Sequence, residues 1–159
     1  MIEHLARNWG NWASVAGLVF SALAFVFSKR ASKAAEEARD TILLRTFGQE
    51  MVEAKHMAAE VARFVSEEQR EMAQLRIDDL LSRVSYCTKR WDLRLSDESK
   101  ANLARSRDHL SEVRRVLSKK SISDLNAHQK LLLEQACGQV VTIFSEEHGN
   151  AMKATDYEA

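Results

Sequence analysis

The chain has 159 residues, of which five are glycine and none is proline, and 45% are hydrophobic. Because the turns of β-proteins depend on glycine and proline, this composition argues against an all-β fold and favours long helices. The 23 basic and 23 acidic residues cancel, so neither a generally basic surface nor sequence-specific DNA binding is expected. We therefore predict an all-α protein.

The N-terminal region, residues 1–28, contains an apolar run. No side chain from Asn8 to Ser28 is charged. A helix of this length reaches roughly 30 Å, the thickness of the hydrocarbon core of a bilayer. Trp9 and Trp12 lie at its first edge, where indole rings favour the membrane interface. A cleaved signal peptide would need a basic start and a small-x-small site, whereas this chain starts with MIEHLARN and the run ends in SKR. A buried core helix is the other alternative, but a run this long that is apolar on all sides is too large for a domain of this size. We therefore predict a transmembrane helix.

Basic residues follow the apolar run. Lys29, Arg30 and Lys33 begin a predicted juxtamembrane helical stalk, residues 29–46, whereas Arg7 precedes the run. Because basic residues concentrate on the cytoplasmic side, the N-terminus is expected outside and the C-terminal part in the cytoplasm. The predicted location is the inner (plasma) membrane, as a single-pass protein with the lipid bilayer as a partner.

Small residues recur within the apolar run at every fourth position. Ala13, Gly17 and Ser21 share this spacing, which lets helix backbones approach closely in lipid. The pattern predicts a homo-oligomer packed through this stripe, and the alternative is the ordinary composition of membrane helices. The run contains no ionisable side chain, so no proton relay is expected within it.

The following residues, 47–148, have helical patterns with short connections, which predict a cytoplasmic bundle of about four helices. The first apolar face has the spacing of a coiled-coil seam and comprises Leu44, Phe47, Met51, Ala54, Ala58, Val61 and Val65. Ser66 and Gln69 match a capping box, so a second helix is predicted to start there. Its apolar face comprises Ala73, Ile77, Leu80, Val84, Cys87 and Trp91.

The third and fourth helices are predicted from caps and apolar faces. Ser96 is a favourable N-cap for the third helix, whose face comprises Leu103, Leu110, Val113 and Leu117. Asp124 is predicted to cap the fourth helix, which ends near Gly149. Its predicted face comprises Leu125, Leu132, Ala136, Val140 and Ile143. Residues 149–159 are predicted to form a flexible tail.

Residues that could support catalysis are few. Cys87 and Cys137 lie on apolar faces, so we expect reduced core thiols. Glu53 and His56 have the Glu-x-x-His spacing of di-iron bundles, but the chain offers no second copy. No phosphate-binding loop, catalytic triad or HExxH motif is present. We therefore expect no enzyme activity, cofactor or metal.

Basic residues also cluster in the cytoplasmic part, in a patch formed by Lys89, Arg90, Arg94, Arg105 and Arg107. Guanidinium groups beside Trp91 suit a phosphate-bearing ligand such as a nucleotide signal. The interleaved Asp92 and Asp108 instead favour a salt-bridged surface, which is the preferred interpretation.

The plan of one span (WASVAGLVFSALAFVFSKR), a basic turn and a helical bundle resembles that of small membrane effectors of bacterial anti-phage defence. In outline it is similar to the membrane accessory proteins of type VI CRISPR systems, which look like oligomeric pores with a HEPN-like cytoplasmic bundle. The Arg-x4–6-His signature of HEPN ribonucleases is not met, since three residues separate Arg105 from His109.

The resemblance implies a non-enzymatic, homo-oligomeric effector that forms a pore or perturbs the membrane. Its cytoplasmic bundle would control it, through a cytoplasmic protein or a nucleotide. Two alternatives stay open: a membrane-tethered adaptor that docks a cytoplasmic partner, and, less favoured, a membrane-anchored HEPN-like nuclease.

Overall fold

The computed structural model describes the backbone of residues 2–156 and the side chains of residues 16–154. Within these residues the fold is all-α, as the sequence predicts, and contains no strand. The helices are α1 (Ile2–Ser66), α2 (Arg70–Trp91), α3 (Asp97–Lys119) and α4 (Ala127–Asp156). A short 3₁₀ turn, Ile122–Asp124, precedes α4. The chain divides into two compact units, Met1–Ile42 and Leu43–Ala159.

The first unit consists of the N-terminal part of α1. Every side chain from Ala16 to Asp40 is exposed. Lys33 forms an ion pair with Glu37 one turn later, at 3.6 Å. Neither proline nor a helix-terminating turn interrupts α1, so the predicted continuation of the apolar helix into a stalk agrees with its observed bounds.

The second unit is an antiparallel four-helix bundle. Pairs between α1 and α2 show the direction, because Glu60 contacts Arg76 whereas the earlier Glu50 contacts the later Arg90. Helix α3 packs against both α2 and α4. Short connections place successive helices side by side, as predicted, and the apolar faces of the four helices enclose one core.

Most of the predicted core is confirmed. All members of the α2 and α3 faces are buried, and so are the α1 residues from Phe47 to Val65 in the seam, while Leu44 is half-buried. Helix α3 also buries two polar residues that the sequence pattern did not indicate, Asn102 and Ser106.

The predicted face of α4 requires correction. Leu132 is 50% exposed and Ala136 is only partly buried, whereas Val140 and Ile143 are buried as predicted. Leu125 is also buried, but it lies before α4, after the 3₁₀ turn. The buried face of α4 comprises Leu133, Cys137, Val140, Ile143, Phe144, Glu147 and Ala151. Because three consecutive leucines begin the pattern, either of two neighbouring faces satisfies the helical spacing.

The end of α4 is also later than predicted. The helix continues beyond Gly149 to Asp156, and Ala151 is 5% exposed. One glycine costs a helix only about 1 kcal/mol relative to alanine. Burial of Ala151 against the bundle offsets part of that cost, so the prediction that α4 ends near Gly149 is wrong.

The turn between α1 and α2 is a Schellman motif, not the predicted capping box. Gln69 N donates to Phe64 O at 2.8 Å, and Glu68 N donates to Val65 O at 3.2 Å. Glu68 has a φ of 57°, in the left-handed region that this motif requires. Ser66 Oγ donates back to Arg63 O, and Gln69 N, which would donate to Ser66 in a capping box, donates to Phe64 O instead.

The caps of α3 and α4 differ in how well the sequence identifies them. Ser96 Oγ accepts a bond from Ser99 N at 3.1 Å, which confirms the predicted start of α3. Asn126, not Asp124, caps α4, since its Oδ1 accepts from Gln129 N at 2.8 Å. Gln129 Oε1 accepts from Asn126 N in return. Asp124 is instead held in the 3₁₀ turn.

Candidate functional site

The first candidate is the exposed apolar surface of the first unit. Seven large apolar side chains here are 46–74% exposed: Leu18, Val19, Phe20, Leu23, Phe25, Val26 and Phe27. Successive helical residues differ by about 100° in direction, so these side chains surround the helix. Burying them would contribute on the order of 10 kcal/mol.

A search of the described residues finds no helix segment that is both long enough and apolar enough to cross a membrane. Trp9, Trp12 and Ala13 were predicted from the same apolar run, and their side chains lie outside the described residues.

The remaining predicted residues of the run and its edge are accessible. Gly17 and Ser21 are exposed, and a Cβ added at Gly17 would meet no atom within 4 Å. Lys29 lies 5.6 Å from the centroid of the Phe25 ring, and Arg30 is exposed. The space around position 17 in the described part of the chain therefore does not require a glycine.

The second candidate is a group of buried polar side chains at one end of the bundle. This end contains Gly48 of α1, Trp91 of α2, Asn102 of α3 and Glu147 of α4, and is called the Gly48 end below. Its largest hydrogen-bond network centres on Glu50, whose side chain is 14% exposed. Trp91 Nε1 and Arg90 Nη1 each donate to the Glu50 carboxylate at 2.7 Å.

The Glu50 network includes a thiol and two aromatic rings. Cys87 Sγ lies 3.4 Å from Glu50 Oε2 and donates to it. Burial raises the pKa of Cys87 to about 12, and the nearby Glu50 charge contributes in the same direction. Phe47 packs edge-on against Trp91, and the Arg90 guanidinium lies over the Trp91 ring. The neutral, buried thiol is suited to packing and not to nucleophilic attack.

A second polar contact at the Gly48 end joins α3 to α4. Asn102 Nδ2 donates to Glu147 Oε1 at 2.6 Å, and Asn102 Oδ1 accepts from Arg105 at 2.6 Å. Glu147 is 1% exposed, and its Oε2 is a buried atom for which the described residues supply no hydrogen-bond partner. No apolar spacing signals this residue, so sequence analysis missed it.

The predicted basic patch is distributed over α2, α3 and the connection between them, which contains Arg94. Arg90 and Arg105 donate to protein groups, Glu50 and Asn102 respectively. Arg107 lies 3.9 Å from Asp108, and both are exposed, as are Lys89 and Arg94. Two of the five side chains that would hold a phosphate, Arg90 and Arg105, therefore already take part in contacts within the bundle.

The other sequence candidates are also placed by the structure. Glu53 forms an ion pair with Arg83 of α2, and His56 is exposed. Cys137 is buried, which raises its pKa to about 12, and the nearby Glu134 adds to this shift. No group of three or more potential metal ligands occurs among the residues that the structure describes.

An open groove of about 530 Å³ lies between α3 and α4. Val113, Val116 and Leu133 form part of its apolar floor, and Leu132 lies at its side. At its rim Arg115 donates to Glu112 at 2.6 Å, and this bond lowers the pKa of Glu112. The groove is a surface on which another helix could pack.

Comparisons with protein-family models, curated proteins and solved structures found no match to this chain.

Proposed function

We propose that the chain is a single-pass, non-enzymatic membrane effector that assembles as a homo-oligomer and perturbs the bilayer, under the control of its cytoplasmic bundle. The single observation that supports this proposal is the ring of exposed apolar side chains from Leu18 to Phe27. Such a surface is unfavourable in water and is stabilised when lipid or other copies of the helix cover it. The uncharged residues from Asn8 onwards extend it at the sequence level.

The charges that follow support the orientation. Lys29, Arg30 and Lys33 are exposed immediately after the apolar segment, where they would contact anionic headgroups on the cytoplasmic side. The closed bundle and its ion-paired surface would then lie in the cytoplasm. A pore and a less ordered disturbance of the bilayer are both consistent with this arrangement.

Membrane anchoring is tested by flotation of the full chain with liposomes that contain anionic lipid. Phe20→Asp places a charge in the apolar segment, at a cost of a few kcal/mol for insertion, and should shift the protein to the aqueous fraction. Phe20→Leu keeps the segment apolar and should float like the parent. Equal flotation of both variants would contradict membrane insertion.

Membrane perturbation is tested by release of a trapped dye from the same liposomes. The full chain should release the dye, and its detergent-solubilised particle should have the mass of several chains. A monomeric particle or intact liposomes would remove the effector proposal. A chain that floats without releasing dye would favour a membrane-tethered adaptor, for which the groove between α3 and α4 supplies a docking surface.

A further inference from the structure

We infer that the last turns of α4, from Glu147 to Met152, form a releasable clamp on the Gly48 end of the bundle, and that the closed state is weakened by the Glu147–Asn102 pair, in which one buried carboxylate oxygen has no partner. The inference deepens the proposed function by naming the part of the bundle that opens in response to a signal. Only the response to a signal rests on the proposed function, and the opening of the clamp does not.

The contact of this clamp with α1 includes a polar part at Gly48. His148 Nδ1 lies 3.1 Å from Gly48 O, and since a carbonyl can only accept, the ring nitrogen donates. A Cβ at Gly48 would meet Ala151 Cβ at 3.5 Å and Met152 Sδ at 3.8 Å. At Gly48 the two helices therefore approach closely, with Ala151, Met152 and the His148 hydrogen bond at the contact.

The contact of the clamp with α3 contains an unsatisfied group. Glu147 Oε1 accepts from Asn102, but Oε2 is buried without a partner. An ionised Oε2 would need a hydrogen-bond donor and a protonated Oε2 would need an acceptor, and the described residues supply neither. Opening the clamp would expose Oε2 to water, so Glu147 favours the open state.

In the other half of α4, the described residues include no buried side-chain oxygen or nitrogen without a hydrogen-bond partner. Leu133, Cys137 and Val140 are at most 4% exposed and pack in the apolar core with Leu110 and Val113 of α3. Glu147 also lies more than two turns before Asp156, so opening at Glu147 exceeds ordinary fraying of a helix end. Opening is therefore expected to be confined to the Gly48 end.

The two cysteines report on this opening. Cys87 is buried at the Gly48 end beside Glu50, and Cys137 is buried on α4, ten residues before Glu147. Maleimide labelling of the full chain in detergent, followed by mass spectrometry of the peptides, measures each thiol separately. Cys87 should react at least about tenfold faster than Cys137, because local opening precedes global unfolding.

Substitutions then test the part that Glu147 plays. The double variant Asn102→Leu/Glu147→Met replaces the polar pair by apolar side chains of similar size and should slow Cys87 labelling at least about fivefold, with Cys137 unchanged. Glu147→Gln removes the charge only and should slow Cys87 less. Glu146→Gln removes an exposed charge one residue away and should have no effect.

Equal labelling of the two cysteines in the parent would overturn the clamp. An unchanged Cys87 labelling rate in both Glu147→Gln and the double variant would also overturn the clamp. If the double variant loses its helical signal, the result for Glu147→Gln alone decides whether the clamp is supported. Dye release is measured separately. If Cys87 labelling responds as expected but the chain releases no dye, the clamp is supported and the effector proposal is contradicted. If the chain releases dye but Cys87 labelling does not respond, only the clamp is contradicted.

Discussion

The indole Nε1 of Trp91 donates a hydrogen bond of 2.7 Å to the carboxylate of Glu50, which joins α2 to α1 beside the core. Arg90 and the Cys87 thiol donate to the same carboxylate. The two neighbouring pairs between these helices, Glu53 with Arg83 and Glu60 with Arg76, lie on the exposed surface. Glu50 therefore differs from Glu53 and Glu60, although each of the three has an arginine partner on α2.

We predict that Glu50→Ala destabilises the bundle far more than Glu53→Ala. Loss of Glu50 leaves a buried indole N–H and a thiol without an acceptor and should lower the free energy of unfolding by about 2–3 kcal/mol. Glu53 pairs with Arg83 in solvent, so its loss should cost less than about 1 kcal/mol. Urea unfolding of the full chain in detergent, followed by circular dichroism, measures both. Equal losses would show that the Glu50 network is only a surface ion pair.

The seam of α1 provides a second prediction. Met51 and Val61 are at most 1% exposed, so aspartate at either position would bury a charge without a partner. Met51→Asp or Val61→Asp should lower the free energy of unfolding by several kcal/mol, enough to prevent assembly of the bundle. His56→Asp, on the exposed side of the same helix, is the matched control. Unchanged melting and oligomer size in the seam variants would mean that the seam is not in the core.

Sequence patterns were sufficient to predict the buried residues of a helix where one apolar face dominates it. On α2, Ala73, Ile77 and Leu80 begin a face in which every predicted residue is buried. On α4, Leu131, Leu132 and Leu133 start two competing faces, and Glu147 interrupts the correct one. A polar residue within a buried face weakens the apolar signal, because periodicity measures hydrophobicity and not burial.

The polar groups at the Gly48 end could not be predicted for a different reason. Asn102 and Glu147 are separated by 45 positions, and their contact exists only because α3 and α4 are antiparallel neighbours. Glu50 is a charged residue outside the predicted apolar seam of α1, so its pattern gave no sign of burial. Its hydrogen bond to Trp91 depends on the register of α1 against α2, which no local pattern specifies.

The Schellman turn gives a third prediction. Glu68 has a φ of 57°, a conformation that costs a non-glycine residue about 1 kcal/mol or more. Glu68→Gly removes that cost and loses only a solvent-accessible ion pair with Lys130, so the free energy of unfolding should rise by about 0.5–1 kcal/mol. Glu67→Gly, where no positive φ is present, should lower it by a similar amount. Thermal unfolding compares the two, and stabilisation by both or neither would count against this account of the turn.

The buried thiols give a fourth prediction, on pH. Burial raises the pKa of Cys87 and of Cys137 from the ordinary 9.0 to about 12. The folded state therefore retains protons that the unfolded chain loses, so the contribution to stability is complete below about pH 9 and is lost as the pH rises towards 12. The double variant Cys87→Ala/Cys137→Ala should show a flatter loss of stability between pH 9 and 11. Parallel curves for parent and variant would contradict the raised pKa values.

The last prediction concerns Gly17 and the proposed assembly in the membrane. A Cβ at this position would meet no atom of the described residues within 4 Å, so we expect any loss caused by Gly17→Leu to arise from contacts outside the chain itself. Leucine keeps the segment apolar and raises helix propensity by roughly 1 kcal/mol, so flotation should be unchanged. Close packing of helix backbones should be lost, with at least about a tenfold decrease in crosslinked oligomer and in dye release. Val19→Leu is the matched control, because Val19 lies on a different side of the helix and is already large. If both variants behave like the parent, helix packing in the membrane does not depend on Gly17, and the bundle alone must hold any oligomer together.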